Sequence, residues 1–445
     1  MSDPGAVTAV SPRRRREVLD ALRRGTVPAA GLDMFAVGLD RLEGGLGDDL
    51  DTAASGGAAF KAVRGEYGAG KTFLARWLGE RAKSRGMAVA EVQISETETP
   101  LHRLETVYRR LCERLSTPTA APSAFRPVLD AWLFTLEEDV LASGDIDPSD
   151  QAAVDTATES LLERRLSTLN RVAPGYAAGL RGYRRAIGAD DTATADGLSA
   201  WLAGERHVAA SVRRAAGIKG DLDHFLALSF LQGLLGVLRD SGHPGLLLVL
   251  DEVETLQRVR SDARTKALNA LRQLIDEIDS GRFPGLYLVM TGTPAFYDGR
   301  QGVQLLSPLA QRLHTDFTTD ARFDNPRAAQ VRLPSFDTGR LIALGVRVRD
   351  LYAVGSSDPE RLRSVVDDAY LNTLASAVAG TFGGRVGIAP RLFLRKLVAD
   401  VLDRVDQFED FDPSRHYTLT VARHELTEVE QQAVVTNPDE VDLDD

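Results

Sequence analysis

The run Gly65-Glu66-Tyr67-Gly68-Ala69-Gly70-Lys71-Thr72 is where this chain can do chemistry. It fits G-x-x-x-x-G-K-S/T, a loop whose backbone N–H groups turn inward and cradle phosphate oxygens. Gly65 and Gly70 are expected to take backbone angles that a Cβ would forbid. Lys71 supplies a positive charge for the β- and γ-phosphates, and the Thr72 hydroxyl is placed to ligate Mg²⁺. Glu66, Tyr67, Gly68 and Ala69 complete the curl, and Phe73 continues into a helix whose N-terminus favours anions.

A phosphate loop marks binding, not turnover. The second signal is the apolar run 246–250 followed by Asp251-Glu252. A carboxylate at the carboxyl end of a buried strand can hold Mg²⁺, which makes Asp251 the metal-side candidate. Glu252 is the candidate general base that activates a water. Thr291 ends the next apolar run, where a hydroxyl can meet the γ-phosphate or that water, with Thr293 the weaker substitute. Arg312 lies shortly after, in a position to reach a neighbouring subunit's nucleotide as a finger. Arg391, in Gly387-Ile388-Ala389-Pro390-Arg391, starts a helix from which it can touch the γ-phosphate in cis. Each has a plainer reading: an acidic strand end, Thr-Gly-Thr-Pro turn chemistry, a surface salt bridge, a packed helix start.

These residues need a sheet to bring them together. Apolar runs predict strands over 59–64, 87–94, 246–250, 286–290 and 329–333, with right-handed crossovers between parallel neighbours. Helical spacing predicts helices over 11–25, 101–115, 222–240 and 262–280. A short strand-like piece is expected at 35–40 and another at 415–421. Residues 118–220, rich in Ala, Arg and Asp, read as a helical insertion. The expected organisation is an N-terminal helical segment (1–30), a nucleotide-binding α/β domain (31–335), a helical lid (336–410), and a C-terminal extension (411–445). The first ten residues and the acidic 439–445 show no packing pattern.

Composition bounds the function classes. A chain of 445 residues suits two or three domains. Cys112 is the sole cysteine, which excludes an internal disulfide and a cysteine metal cluster. No H-x-x-x-H spacing occurs, so no zinc site is expected. With 53 basic against 64 acidic residues the net charge is −11, which excludes a surface that is basic throughout. Arginine clusters at 13–16, at Arg181, Arg184 and Arg185, and at Arg206, Arg213 and Arg214 read as solvated helix faces, with a local nucleic-acid groove as the alternative. No apolar stretch is long enough to span a bilayer, and a cytoplasmic protein without membrane contact is expected.

The ordered set resembles AAA+ ATPases: phosphate loop, Asp-Glu strand end, polar strand end, finger arginine, then Pro-Arg in a lid. The stretches 35–41, 63–73 and 291–296 together look like the BrxD-type ATP-binding proteins of bacterial BREX phage-defence islands. The overall order is also similar to origin-recognition and helicase-loader ATPases. The resemblance implies an AAA+ core with a C-terminal lid, ATP and Mg²⁺ as cofactors, and hydrolysis in a homo-oligomer. It further implies coupling to DNA or to a helicase partner. The alternative is a nucleotide-gated adaptor with little turnover that recruits a helicase or nuclease.

Overall fold

Five parallel strands form one sheet in the computed structural model, which describes residues 11–382, 387, 389–427 and 430–431. They are β1 (Ala59–Arg64), β2 (Ala88–Gln93), β3 (Leu246–Asp251), β4 (Leu286–Gly292) and β5 (Gln330–Arg332), in the spatial order β2-β3-β4-β1-β5. All five expected strands are present, within two residues of their predicted ends. Side chains alternate between the two faces of a strand, and both faces here are covered. Leu246, Leu248 and Leu250 enter one core, whereas Leu247 and Val249 enter the other. That double burial is why β3 is apolar without interruption.

The first core is closed by α4 (Leu104–Arg114), the insertion helices, α10 (His224–Asp240) and α11 (Ser261–Asp279). The insertion comprises α5 (Phe125–Ala142), α6 (Gln151–Val172), α7 (Pro174–Gly188), α8 (Thr192–Leu202) and the short α9 (Ala210–Ala215). It is helical, as expected, and it shares the core of the sheet. Phe230 on α10 meets the edges of Tyr108, Tyr176 and Trp201 at centroid distances of 5.8, 5.1 and 5.1 Å. Edge-to-face rings of this kind add attraction beyond the area they bury.

The second core lies between the opposite sheet face, α2 (Asp40–Ala54), α3 (Lys71–Ser84) and the C-terminal helices. Two very short helices, α12 (Pro294–Asp298) and α13 (Ser307–Leu313), lead from β4 towards β5. Then come α14 (Thr338–Ala353), α15 (Pro359–Val365), α16 (Asp368–Thr381) and α17 (Pro390–Arg395), the last continued by a π-helical stretch, Lys396–Leu402. The N-terminal helix α1 (Pro12–Arg23) joins this bundle. Val18 and Leu22 are buried with Phe393 and Val398, and Arg23 forks onto Asp403 at 2.6 and 2.8 Å.

Two sequence expectations fail, for identifiable reasons. Residues 35–40 form no strand, because Gly31 and Gly38 stand in left-handed conformations (φ +82° and +77°) and bend the chain around a 3₁₀ turn, Leu32–Met34. Residues 415–421 likewise form no strand. A helical turn, Pro413–His416, is followed by an extended piece whose alternate residues Tyr417, Leu419 and Val421 pack against the second core. The period of two is real there, but among the described residues no strand edge pairs with it. Residues 1–10, 439–445 and Ile388 lie outside the described residues. Among the described residues no helix is long and apolar enough to cross a membrane.

Candidate nucleotide site

Because β4 sits between β1 and β3, the loop leaving β1 and the acidic end of β3 are two strand spacings apart, about 10 Å. The first turn of α3 spans that gap. Thr72 Oγ1 donates to Asp251 Oδ2 at 3.0 Å. Thr291, fully buried at the end of β4, donates its hydroxyl to Asp251 Oδ1, and the Glu252 amide donates to the same oxygen at 3.1 Å. The Asp251 carboxylate is thus held on both oxygens. The position of Thr291 explains its type: a short hydroxyl on the intervening strand reaches the acid beside it.

The loop itself differs in one respect from expectation. Gly68 and Gly70 have positive φ (+80° and +92°), whereas Gly65 does not. Gly65 is required for closeness instead. A Cβ there would stand 3.3 Å from Leu333 Cβ and 3.4 Å from Lys71 Cγ. Left-handed backbone costs an L-residue roughly 1–2 kcal/mol, so Gly68 and Gly70 carry the curl. Lys71 is buried at its end. Its Nζ donates to the Gly65 and Glu66 carbonyls at 2.9 and 3.3 Å and lies 5.1 Å from the Tyr67 ring centroid.

Glu254 is a site residue that the sequence reading missed. After Asp251 the chain passes through a left-handed residue, Glu252 (φ +60°), into a 3₁₀ turn, Val253–Gln257. That turn sets Glu254 Oε1 3.7 Å from Lys71 Nζ. Glu254 is 6% exposed, and among the described residues neither of its oxygens has a hydrogen-bond partner. Burial pushes its carboxyl up from the usual range; Lys71 opposes the shift, and Asp251 and Glu252 add to it. The available signal was a third acid three positions after Asp251. Gln93 was also missed. It ends β2, in register with Asp251, and its Nε2 donates to Glu252 Oε2 at 2.8 Å.

A cavity of about 450 Å³ joins these groups, a size in the range of small-molecule sites. At one end lie Tyr67, Gly68, Ala69, Gly70, Lys71, Thr72, Asp251, Glu252 and Glu254. The other end is apolar, walled by Phe35, Val37, Phe73, Phe336 and Leu344, with Phe35 and Phe73 edge to face at 5.3 Å. Gly65 and Thr291 are buried and do not line the cavity, and Glu66 is exposed outside it. Arg391, at the start of α17, borders the cavity and donates from Nε to Glu430 Oε1 at 2.9 Å. Arg312 on α13 is not brought there. It pairs with Asp276 and Asp279 of α11 at 2.5 and 2.7 Å. A wider depression of about 710 Å³ opens beside His102, His224 and Lys266, but no glycine loop faces it.

One carboxylate and one hydroxyl, Asp251 and Thr72, suit the sparse protein ligation of Mg²⁺, which takes its remaining oxygens from phosphate and water. Among the described residues no group of three or more His, Cys, Asp or Glu gathers to hold a metal. Several of the clustered arginines pair with acids of this chain: Arg181 with Glu163, Arg184 with Asp155, Arg206 with Glu105, and Arg213 with Asp221.

A glycine loop after β1, an acid at the end of β3 and a half-apolar cavity between the sheet and the C-terminal helices make this a parallel-sheet α/β protein whose core is consistent with the phosphate-loop type. Residues 10–421 match the model of the family described as BREX system ATP-binding protein BrxC/D, and the chain belongs to that family. No curated protein matches the chain, and no solved structure does.

Proposed function

We propose that this protein is an ATPase of the AAA+ type that binds ATP with Mg²⁺, hydrolyses it, and works as an oligomeric motor or switch on DNA or a helicase partner in phage defence. The observation that carries the reading is the convergence of Thr72 and Thr291 on Asp251 beneath the glycine loop, with Glu252 on the same cavity. The strand order β2-β3-β4-β1-β5 and the helical bundle after β5 support the AAA+ assignment. In this reading residues 31–335 are the ATPase domain, 336–410 the lid, and the cytoplasm the place of action.

The residues divide the work. The loop amides and Lys71 bind the phosphates, and the apolar end takes the base. Asp251 and Thr72 would hold Mg²⁺, which when bound neutralises charge on the β- and γ-phosphates. Glu252 takes a proton from the attacking water, and Gln93 orients it. Arg391 meets the γ-phosphate from the lid, and Arg312 reaches a neighbour's site. Steady-state ATP hydrolysis, measured with and without DNA and a helicase partner, tests this. Turnover that Lys71→Ala abolishes supports it, and absence of turnover under every condition refutes it.

The adaptor reading has its own support. Arg391 and Arg312 are both engaged by acids of the same chain. An isolated subunit of this form lacks a free arginine from either for the γ-phosphate, which favours slow turnover until a partner or neighbour rearranges them.

A further inference from the structure

The C-terminal stretch supplies a buried carboxylate to the nucleotide cavity. Glu430 is 4% exposed and lines the cavity together with Thr427, Lys71 and Thr72. Both of its oxygens engage Arg391, Oε1 from Nε at 2.9 Å and Oε2 from Nη2. The Thr427 amide donates to Oε2 at 2.7 Å, and Arg391 Nη2 also donates to the Glu425 carbonyl at 2.6 Å. One turn further along the helix, Lys396 Nζ donates to both oxygens of Glu425 at 2.9 and 3.0 Å, with Arg395 at 3.4 Å. Cations on one helix of the C-terminal bundle therefore hold two carboxylates, Glu425 and Glu430. Among the described residues of this stretch, Leu426 is half-buried against the core.

An ionic seat of this kind is exchangeable. A guanidinium fork accepts carboxylate and phosphate in the same bidentate geometry, so one can replace the other without rebuilding the site. A phosphate brought to the Nε and Nη2 edge of Arg391 competes with Glu430 for the same donors, and two anions sharing that edge repel each other.

We infer that Glu430, with the adjoining described residues 422–427, is a tethered acidic competitor that occupies Arg391 until the γ-phosphate of a nucleoside triphosphate displaces it. The inference rests on the nucleotide reading of the cavity. A diphosphate offers no third phosphate to Arg391 and leaves the stretch seated. Triphosphate binding is thereby coupled to release of the C-terminal stretch, and the affinity for ATP is lowered by the work of displacing it.

The test is calorimetric titration of ATP and of ADP into the full chain, as wild type, Glu430→Gln and Lys71→Ala. Glu430→Gln is expected to tighten ATP about tenfold, the worth of weakening one charge-assisted hydrogen-bonded pair, and to change ADP less than about twofold. A second measurement avoids altering the acid: a fluorophore on His424→Cys, the native Cys112 being buried, should gain mobility with ATP and not with ADP. Unchanged or weaker ATP binding in Glu430→Gln, or a label that ATP does not free, overturns the inference. If Lys71→Ala still abolishes binding in that case, the nucleotide reading stands alone. If ATP binds neither wild type nor Glu430→Gln, both fall.

Discussion

Thr72 and Asp251 are 179 residues apart in the chain and joined by a 3.0 Å hydrogen bond. The bond spans the end of β4, and Thr291 on that strand fixes the other carboxylate oxygen. The site is assembled by the sheet rather than by any single loop.

The first prediction concerns that pair. Asp251→Asn keeps the size of the side chain and removes its charge. ATP binding in the presence of a chelator should change little, while the gain in affinity on adding Mg²⁺ should be lost. Titration of a fluorescent ATP analogue with and without Mg²⁺ reads both. An Asp251→Asn protein that keeps the full Mg²⁺ gain would remove Asp251 from the metal.

Glu252 and Gln93 make the second. Glu252→Gln should bind ATP as wild type does and lose turnover by about a hundred- to ten-thousand-fold, the usual worth of a general base. Gln93→Ala should alter turnover and leave affinity unchanged, because its contact is with Glu252 at 2.8 Å. Phosphate release in single-turnover experiments separates the two steps. Wild-type turnover in Glu252→Gln would mean that another group takes the proton.

Glu254 supplies a pH dependence. Burial raises its carboxyl above the ordinary 4.5, so the folded protein holds that proton more tightly than the unfolded chain does. An acid shifted this way costs stability once it ionises, above its unfolded value, and costs nothing below it. Glu254→Gln should therefore raise the melting temperature at about pH 8, and the gain should shrink as pH falls towards about 4.5. Lys71 keeps its two carbonyl partners in the variant. A constant difference in melting temperature across that range would refute the linkage.

For Arg312 the ion pairs with Asp276 and Asp279 are partly exposed, and their loss should cost less than about 1 kcal/mol. Arg312→Ala should fold normally. If it serves a neighbour's site, Arg312→Ala and Glu252→Gln should each be inactive alone and recover turnover when mixed. In a mixed assembly, an intact base on one subunit meets an intact arginine on the next. No recovery on mixing, with both proteins in one assembly, would leave Arg312 a surface salt bridge.

The strands were legible because burial on both faces writes an unbroken apolar run, as at 246–250. Asp251 was legible because it ends such a run. The glycine loop could be found but not resolved: pattern alone does not say that Gly68 takes the left-handed conformation while Gly65 serves close packing. The piece 35–40 misled because its apolar residues wall a cavity instead of pairing with a strand. Gln93 and Glu430 escaped for a deeper reason. Gln93 matters only because β2 lies beside β3, and Glu430 only because the chain folds back across 39 residues to Arg391.

The ring cluster around Phe230 has a mechanical consequence. Helix α10 carries Phe230 and leads after a short turn into β3, whose last residue is Asp251. A load applied to the inserted helices is passed through two aromatic edges, those of Tyr176 and Trp201, to the helix that precedes the strand ending at the acid. A protein or nucleic acid gripping that region would be pulling on the Asp251 end of the pocket.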